Sequence, residues 1–147
     1  MPGLTVDVFD GRAPEECIAL RTRVFVEEQG VSPEDEIDGH DPNCVHFLAR
    51  SEGASVGCAR LRPLAGGRAK VERVAVLAPL RGSGLGRTLM DAIEEEARTR
   101  GWRALELHAQ VQVVTFYERL GWQAVGHEFE EAGISHLEMV KRLEASH

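Results

Sequence analysis

The sequence has few cysteines and lacks a long run of apolar residues. Cys17, Cys44 and Cys58 are odd in number, lie far apart and show no metal-binding spacing. This pattern favours reduced, partly buried thiols over a disulfide framework or a metal site. No apolar stretch approaches the ~20 residues that a membrane-spanning helix needs, and the N-terminus lacks the basic and apolar regions of a signal peptide. We therefore expect a cytoplasmic chain without a metal cofactor.

Positive charge is also scarce. The chain has 17 lysines and arginines against 24 aspartates and glutamates, which gives a net charge of −7. This balance argues against nonspecific binding to nucleic acid or to an anionic membrane surface. It is compatible with a cationic substrate. The 147 residues suit one compact domain with a hydrophobic core.

The stretch from Val71 to Gly86 reads as a buried strand, a glycine-rich turn and the start of a helix. Val71, Val74 and Val76 are β-branched, which suits a strand, and Pro79 cannot continue a strand ladder. The turn that follows contains Gly82, Ser83, Gly84 and Gly86. Because the first N–H groups of a helix have no partner within the helix, this turn predicts an anion site, most plausibly for a phosphate.

The glycine spacing separates the classes of phosphate ligand. A nucleotide P-loop needs Lys and then Ser or Thr after its last glycine, but Arg87 follows Gly86 here. A dinucleotide fingerprint needs G-x-G-x-x-G, whereas this turn reads G-x-G-x-G. The residues from Arg81 to Gly86 instead resemble the R/Q-x-x-G-x-G/A signature of the GCN5-related N-acetyltransferases (GNAT), which cradles the pyrophosphate of acetyl-coenzyme A. The alternative is that these glycines serve only the turn.

A second motif supports this resemblance. Residues 116–122 are similar to the F-Y-x-x-x-G-F element of the same family, with Trp122 in place of Phe. Gln110 stands six residues before Phe116, where the family usually has Asn. Residues 24–30, 36–39 and 132–136 further resemble the bacterial ElaA/YjcF-like branch, so that the resemblance covers essentially the whole chain.

The alternation of patterns predicts the architecture. We expect strands at 4–9, 45–51, 55–62, 70–77, 104–109, 122–126 and 135–141, and helices from 14 to about 29, over 85–100 and over 110–120. Together with the resemblance, this predicts an α/β (α+β) GNAT fold: a mixed, mostly antiparallel sheet of six to seven strands with helices on both faces. We expect one such domain over residues 1–147. A homodimer through an exposed sheet edge is a possible assembly.

Residues 30–43 form the least periodic segment and are expected to be a loop beside the active-site cleft. The loop is acidic, with Glu34, Asp35, Glu36, Asp38 and Asp41. These carboxylates are either simply solvated, which we favour, or one or two of them meet a cationic substrate.

The resemblance implies a reaction in which an amine attacks the acetyl thioester directly within a ternary complex. It implies that backbone N–H groups near Val74–Val76 bind the thioester carbonyl and that the glycine turn binds the pyrophosphate. The expected cofactor contacts are Val74, Ala75, Val76, Arg81, Gly82, Ser83, Gly84, Leu85, Gly86, Arg87, Gln110, Phe116 and Tyr117.

Proton transfer needs an acid and a base. The resemblance places Tyr117, the only tyrosine, beside the sulfur as the general acid, although it could instead be a packing residue. Glu72 is the first candidate for the base that deprotonates the ammonium, and a surface carboxylate paired with Arg or Lys is an equally good interpretation. His108 and His136 are the other candidates, and either could be structural.

Two other functions remain open at this stage. One is a domain of the same fold that senses acetyl-coenzyme A or another acyl-coenzyme A without turnover. The other is a nucleotide-binding α/β protein, which the missing Lys-Ser/Thr pair disfavours. For an enzyme, the sequence leaves the acceptor open among small amines, amino sugars, polyamines, peptide N-termini and lysine side chains.

Overall fold

The computed structural model of the protein describes residues 3–144. Met1, Pro2 and residues 145–147 lie outside this range, and the predictions about the N-terminus and the full domain span fall partly on them. No helix within the described range is long and apolar enough to cross a membrane.

Within residues 3–144, seven strands form one mixed sheet, as predicted. They are β1 (Leu4–Asp10), β2 (Val45–Ser51), β3 (Ala54–Pro63), β4 (Arg68–Val76), β5 (Ala104–Gln110), β6 (Gln123–Glu131) and β7 (Ile134–Arg142). Their order in the sheet is β1-β2-β3-β4-β5-β7-β6. The β4–β5 pair is parallel, and the other described pairs are antiparallel.

Helices cover both faces of the sheet, which confirms the prediction. They are α1 (Glu15–Arg21), continued by a π-helix over Thr22–Glu28; α2 (Pro33–Glu36); α3 (Leu85–Thr99); and α4 (Val114–Arg119). Short 3₁₀ turns span Asp41–Asn43, Ala78–Leu80 and Val111–Val113. The apolar stripe of α3 is buried against one face with Phe47 and Leu107, and α1 packs on the other face against Leu48 and Cys58. The three cysteines are free and buried.

Two segments differ from the sequence predictions. The predicted loop at 30–43 contains α2, whose N-terminus is capped by the Ser32 hydroxyl accepting from the Asp35 N–H at 3.1 Å. Strand β6 extends to Glu131, although Glu130 and Glu131 were expected in a connection. Its register with β7 is interrupted between Val125 and Phe129, so a bulge separates the predicted strand from its continuation.

The middle of the sheet opens where β4 and β5 diverge. Their parallel pairing ends at Val71 and Leu107. On its other side, β4 carries an extra residue opposite β3, since Glu72 pairs with Arg60 and Ala75 with Cys58. Arg73, inside this bulge, has φ +55°. A bulge and a splayed strand pair re-aim backbone groups and often mark functional sites.

Candidate active site

A cavity of about 860 Å³ runs along the opening between β4 and β5. The glycine turn and the two candidate histidines both border this cavity. Its lining includes Arg81, Gly84, Tyr117, His108 and His136. The volume is within the range of small-molecule sites, about 300–1,000 Å³. The structure therefore brings the predicted cofactor turn, acid and two candidate bases to one cavity.

The glycine turn has the conformation of an anion site. Gly84 precedes α3 in the left-handed region with φ +92°, and Gly82 has φ +83°. Glycine adopts these angles without the steric cost that other residues meet. A Cβ at either position would meet open space, so both glycines border an empty volume beside the first N–H groups of α3. This volume fits a phosphate group.

Arg81 is anchored at the edge of this turn. Its Nε donates to the Val76 carbonyl oxygen at 3.1 Å, and its Nη2 donates to Glu28 Oε1 at 3.0 Å. Glu28 ends the π-helix. The two contacts tie the phosphate turn to β4 and to the first helical segment, and they leave Arg81 43% exposed.

The two sequence motifs are in direct contact. A Cβ on Gly86 would lie 3.1 Å from Cζ of Phe116, so the absence of a side chain at Gly86 allows α3 to approach α4. Gln110, at the end of β5, reaches across the cavity, and its Nε2 donates to Gln29 Oε1 at 2.8 Å. Residues of both motifs therefore line the same cavity.

Tyr117 lies on α4 with its ring packed in the core. The ring makes edge contacts with Phe116 at 5.0 Å and Trp122 at 6.0 Å between centroids. The residue is 7% exposed and lines the cavity. Burial raises the pKa of Tyr117 to about 12, because a phenolate would lose its hydration. At neutral pH the hydroxyl is therefore protonated.

Glu72 is surrounded by cations. Its Oε1 accepts from Arg60 Nη2 at 2.8 Å and from Arg62 Nε at 2.9 Å, and Lys70 Nζ lies 3.5 Å from Oε2. Burial alone would raise the pKa of Glu72, but the Arg62 hydrogen bond and these charges outweigh it and lower the pKa. This environment is unfavourable for a general base, because the carboxylate has little affinity for a proton.

Three carboxylates of the acidic loop pair with arginines, whereas Glu34 and Asp35 are exposed. Asp38 and Asp41 both accept from the buried Arg60, with Asp38 Oδ2 2.6 Å from Nη2. Asp41 also accepts from Arg21 Nη1 at 2.8 Å. Glu36 is 6% exposed and lies 3.6 Å from Arg73 Nε. The favoured expectation of solvated carboxylates is thus wrong for these three acids, and internal arginines already occupy them.

Loss of Arg60 is expected to destabilise the fold strongly. Replacement by Met would leave Asp38, Asp41 and Glu72 without the cation that they share. Removing one partner of a buried ionic group costs about 3–5 kcal/mol. Urea unfolding should show this loss for Arg60→Met, whereas Arg62→Met, at a residue 24% exposed, should lose about 1 kcal/mol or less.

The same network predicts acid sensitivity. Burial alone would raise the pKa values of Asp38 and Asp41, but their arginine contacts outweigh it and lower both. Their stabilisation is fully present above about pH 4, where the unfolded chain titrates, and is lost as pH falls through the lower folded-state values. The free energy of unfolding should therefore fall steeply below about pH 4. An equally steep fall in Arg60→Met would contradict this explanation.

The two candidate histidines meet at a glutamate that the sequence analysis did not select. His108 Nδ1 lies 3.2 Å from Oε1 of Glu131, and His136 Nε2 lies 3.9 Å from Oε2. Phe129 contacts both rings, with centroid distances of 4.9 Å to His108 and 6.0 Å to His136. The sequence analysis did not select Glu131 because the bulge interrupts the strand pattern before β6 continues to this residue. The alternation of Phe129 and Glu131 on one strand face was the available signal.

The comparisons with known proteins agree with this geometry. A family model described as "Acetyltransferase (GNAT) domain" matches residues 14–143. The uncharacterized N-acetyltransferase YjcF of Bacillus subtilis is 37% identical over 128 residues, which are 86% of this chain and 91% of YjcF.

Solved structures show the same fold. An acyl-CoA N-acyltransferase from Pseudomonas aeruginosa superposes with a TM-score of 0.82 at 28% identity, covering 94% of this chain and 99% of that one. Escherichia coli ElaA superposes with a TM-score of 0.79 at 28% identity, covering 93% and 99%. The chain therefore belongs to the GNAT superfamily of acetyltransferases, in its ElaA/YjcF-like branch.

Proposed function

We propose that this protein is an N-acetyltransferase that moves the acetyl group of acetyl-coenzyme A to a primary amine by direct attack in a ternary complex. The observation that carries the proposal is the contact between the glycine turn and the Phe116–Tyr117 segment on one cavity. This contact supports a single binding path along which the glycine turn would hold a phosphate and Tyr117 would donate a proton. We propose that one catalytic domain spans residues 1–147.

The donor would bind along the walls of the cavity. Backbone N–H groups from Gly82 to Arg87 would hold the pyrophosphate, because the first turn of α3 and the two left-handed glycines border open space. Gln110 and Phe116 would flank the pantetheine arm. The backbone of Val74–Val76, beyond the point where β4 leaves β5, would donate to the thioester carbonyl oxygen, where negative charge develops during attack.

Tyr117 would complete the reaction as the general acid. When the amine nitrogen has bonded to the carbonyl carbon and the carbon–sulfur bond breaks, the thiolate leaves and needs a proton. A tyrosine that stays protonated at neutral pH can supply it. Of the predicted bases, Glu72 is held by three cations, so we assign Glu72 a structural role and leave the base to the histidines.

The remaining parts of the proposal concern context. We propose that the protein acts in the cytoplasm, because its three free, buried cysteines suit a reducing compartment. The acceptor would be a small-molecule or peptide amine. A second candidate function, a sensor of acyl-coenzyme A without turnover, would need the same donor site but no acid, and the placement of Tyr117 in the cavity favours the enzyme.

A thermal shift experiment tests the donor site. Acetyl-coenzyme A should raise the unfolding temperature, since a ligand that binds only the folded state stabilises it by mass action, about 2.7 kcal/mol at a hundredfold excess over Kd. ATP and NAD should raise it less, because the turn lacks the features of their binding loops. An equal or larger shift with ATP or NAD would favour nucleotide binding, and no shift with acetyl-coenzyme A would contradict the proposal.

A further inference from the structure

Glu131 lines the cavity and has no permanently charged partner among the described residues. Within residues 3–144, the ion-pair contacts of Glu131 are those with His108 and His136. Three other carboxylates that line the cavity, Glu36, Asp38 and Glu72, pair with arginines. Glu131 is one of the residues that line the cavity, and its side chain is 49% exposed. The net charge of the group formed by Glu131, His108 and His136 is therefore negative when both histidines are neutral.

The hydrogen bonds fix which nitrogen of each histidine carries the proton. His136 Nδ1 lies 2.7 Å from the Ile134 carbonyl oxygen, which can only accept, so Nδ1 is the donor. In the neutral ring, Nε2 then presents its lone pair. For His108, Nδ1 faces the Glu131 carboxylate at 3.2 Å, so Nδ1 donates there and orients that carboxylate.

As a result, two acceptors, Nε2 of neutral His136 and the Glu131 carboxylate, border the cavity side by side. The lone pair on Nε2 of neutral His136 and the Glu131 Oε2 oxygen face one another across 3.9 Å, beyond hydrogen-bond distance. The His136 side chain is 9% exposed, so little water reaches it. Glu131 Oε2 accepts from His108 Nδ1 at 3.3 Å and, at 49% exposure of its side chain, remains accessible. A donor placed between this carboxylate and Nε2 of His136 would be within hydrogen-bond distance of both acceptors.

We propose that the notch between Glu131 and His136, both of which line the cavity, binds the acceptor as a primary ammonium and that His136 is the general base. The proposal rests on the proposed acetyl transfer and names the acceptor class: an amine that arrives as a cation. His108 is a positioning residue, because it acts through its hydrogen bond to Glu131. None of these roles needs Glu72.

In the proposed reaction the acceptor nitrogen loses two protons and forms one bond to carbon. The ammonium donates hydrogen bonds to Glu131 and to Nε2 of His136. One N–H bond then breaks and a bond from the proton to Nε2 forms, which leaves an imidazolium beside the Glu131 carboxylate. The freed nitrogen pair bonds to the thioester carbon, the carbon–sulfur pair leaves with sulfur, and Tyr117 protonates the thiolate. The nitrogen then loses a second proton, which restores the Tyr117 hydroxyl, and the electron pair of that N–H bond stays on the amide nitrogen. His136 then releases its proton to water, so that acetyl transfer yields the amide, the thiol and one proton.

Imidazole nitrogen NMR tests the notch without any knowledge of the natural acceptor. The neutral His136 ring should carry its proton on Nδ1. Methylammonium, the smallest primary ammonium, should shift the Nε2 resonance in the wild type and leave it unshifted in Glu131→Gln. A matched control is Glu130→Gln, which removes a neighbouring charge outside the cavity lining and should respond like the wild type. A proton on Nε2, or no response to methylammonium, would overturn the proposal.

Kinetics with paired amines test the base. Benzylamine is an ammonium at neutral pH, whereas aniline, of similar shape, is neutral and needs no base before it attacks. His136→Gln and Glu131→Gln should each lower kcat/KM for benzylamine by about a hundredfold and affect aniline far less. Equal losses for both amines, or none, would overturn the proposal.

The two proposals fail in different ways. If the wild-type protein binds acetyl-coenzyme A but acetylates no amine, the acetyltransferase proposal fails, while the NMR titration still decides whether the notch binds an ammonium. If the wild type acetylates benzylamine and the variants do so equally well, only the notch and its base are wrong.

Discussion

Replacement of Gly84 by aspartate is expected to abolish the binding of acetyl-coenzyme A. Gly84 lies at the N-terminus of α3 with φ +92°, beside the proposed pyrophosphate site. The open space around it would admit the new side chain, so its carboxylate would lie where the phosphates bind. Each tenfold loss of affinity corresponds to about 1.4 kcal/mol, and two like charges about 4 Å apart near a protein surface repel each other by about 4 kcal/mol.

The matched control for this variant is Gly84→Asn. Asparagine has the shape of aspartate and tolerates the left-handed region better than most residues, but it carries no charge. Calorimetric titration should show weakened but measurable binding for Gly84→Asn and none for Gly84→Asp. Unchanged affinity in the aspartate variant would remove the glycine turn from the donor site.

Replacement of Tyr117 by phenylalanine is expected to lower kcat by about 10²–10⁴ while the Kd for acetyl-coenzyme A stays nearly constant. The ring contacts with Phe116 and Trp122 survive this change, so only the hydroxyl is lost. A loss in kcat without a loss of donor binding identifies an interaction made in the transition state. Steady-state kinetics and calorimetry on the same preparation provide both values.

The pH dependence of the wild type offers an independent check on Tyr117. Because burial raises its pKa to about 12, its ionisation should cause no fall in kcat through the mildly alkaline range. Trp122→Phe is the packing control, since it alters the aromatic cluster and keeps the hydroxyl. If Tyr117→Phe retains full kcat, the tyrosine is a packing residue and another group protonates the thiolate.

The sequence predicts the elements whose determinants are local. The β-branched residues before Pro79 and the apolar stripe from Leu85 to Ala97 specify β4 and α3 within a residue or two of their observed ends. The glycine turn was recognisable because its chemistry lies within six consecutive residues. These features need only local backbone preferences and side-chain periodicity.

The site features that the sequence does not predict depend on tertiary contacts. The sequence suggested that Asp38 and Asp41 are solvated because their partner, Arg60, lies on β3, at a distance along the chain. Glu131 was placed in a connection because the register of β6 breaks before Phe129. The contacts of Glu131 with His108 and His136 require β5, β7 and β6 to lie side by side. No local pattern encodes that order.

The most direct test of the central claim is mass spectrometry of amines incubated with the protein and acetyl-coenzyme A that carries an isotope-labelled acetyl group. A mixture of primary amines, amino sugars, polyamines and peptides serves as the acceptor. We predict a labelled amide in the wild-type reaction, strongly reduced with Tyr117→Phe and absent with Gly84→Asp. Stabilisation by acetyl-coenzyme A without any labelled amide would contradict the account and identify the protein as a sensor of acyl-coenzyme A.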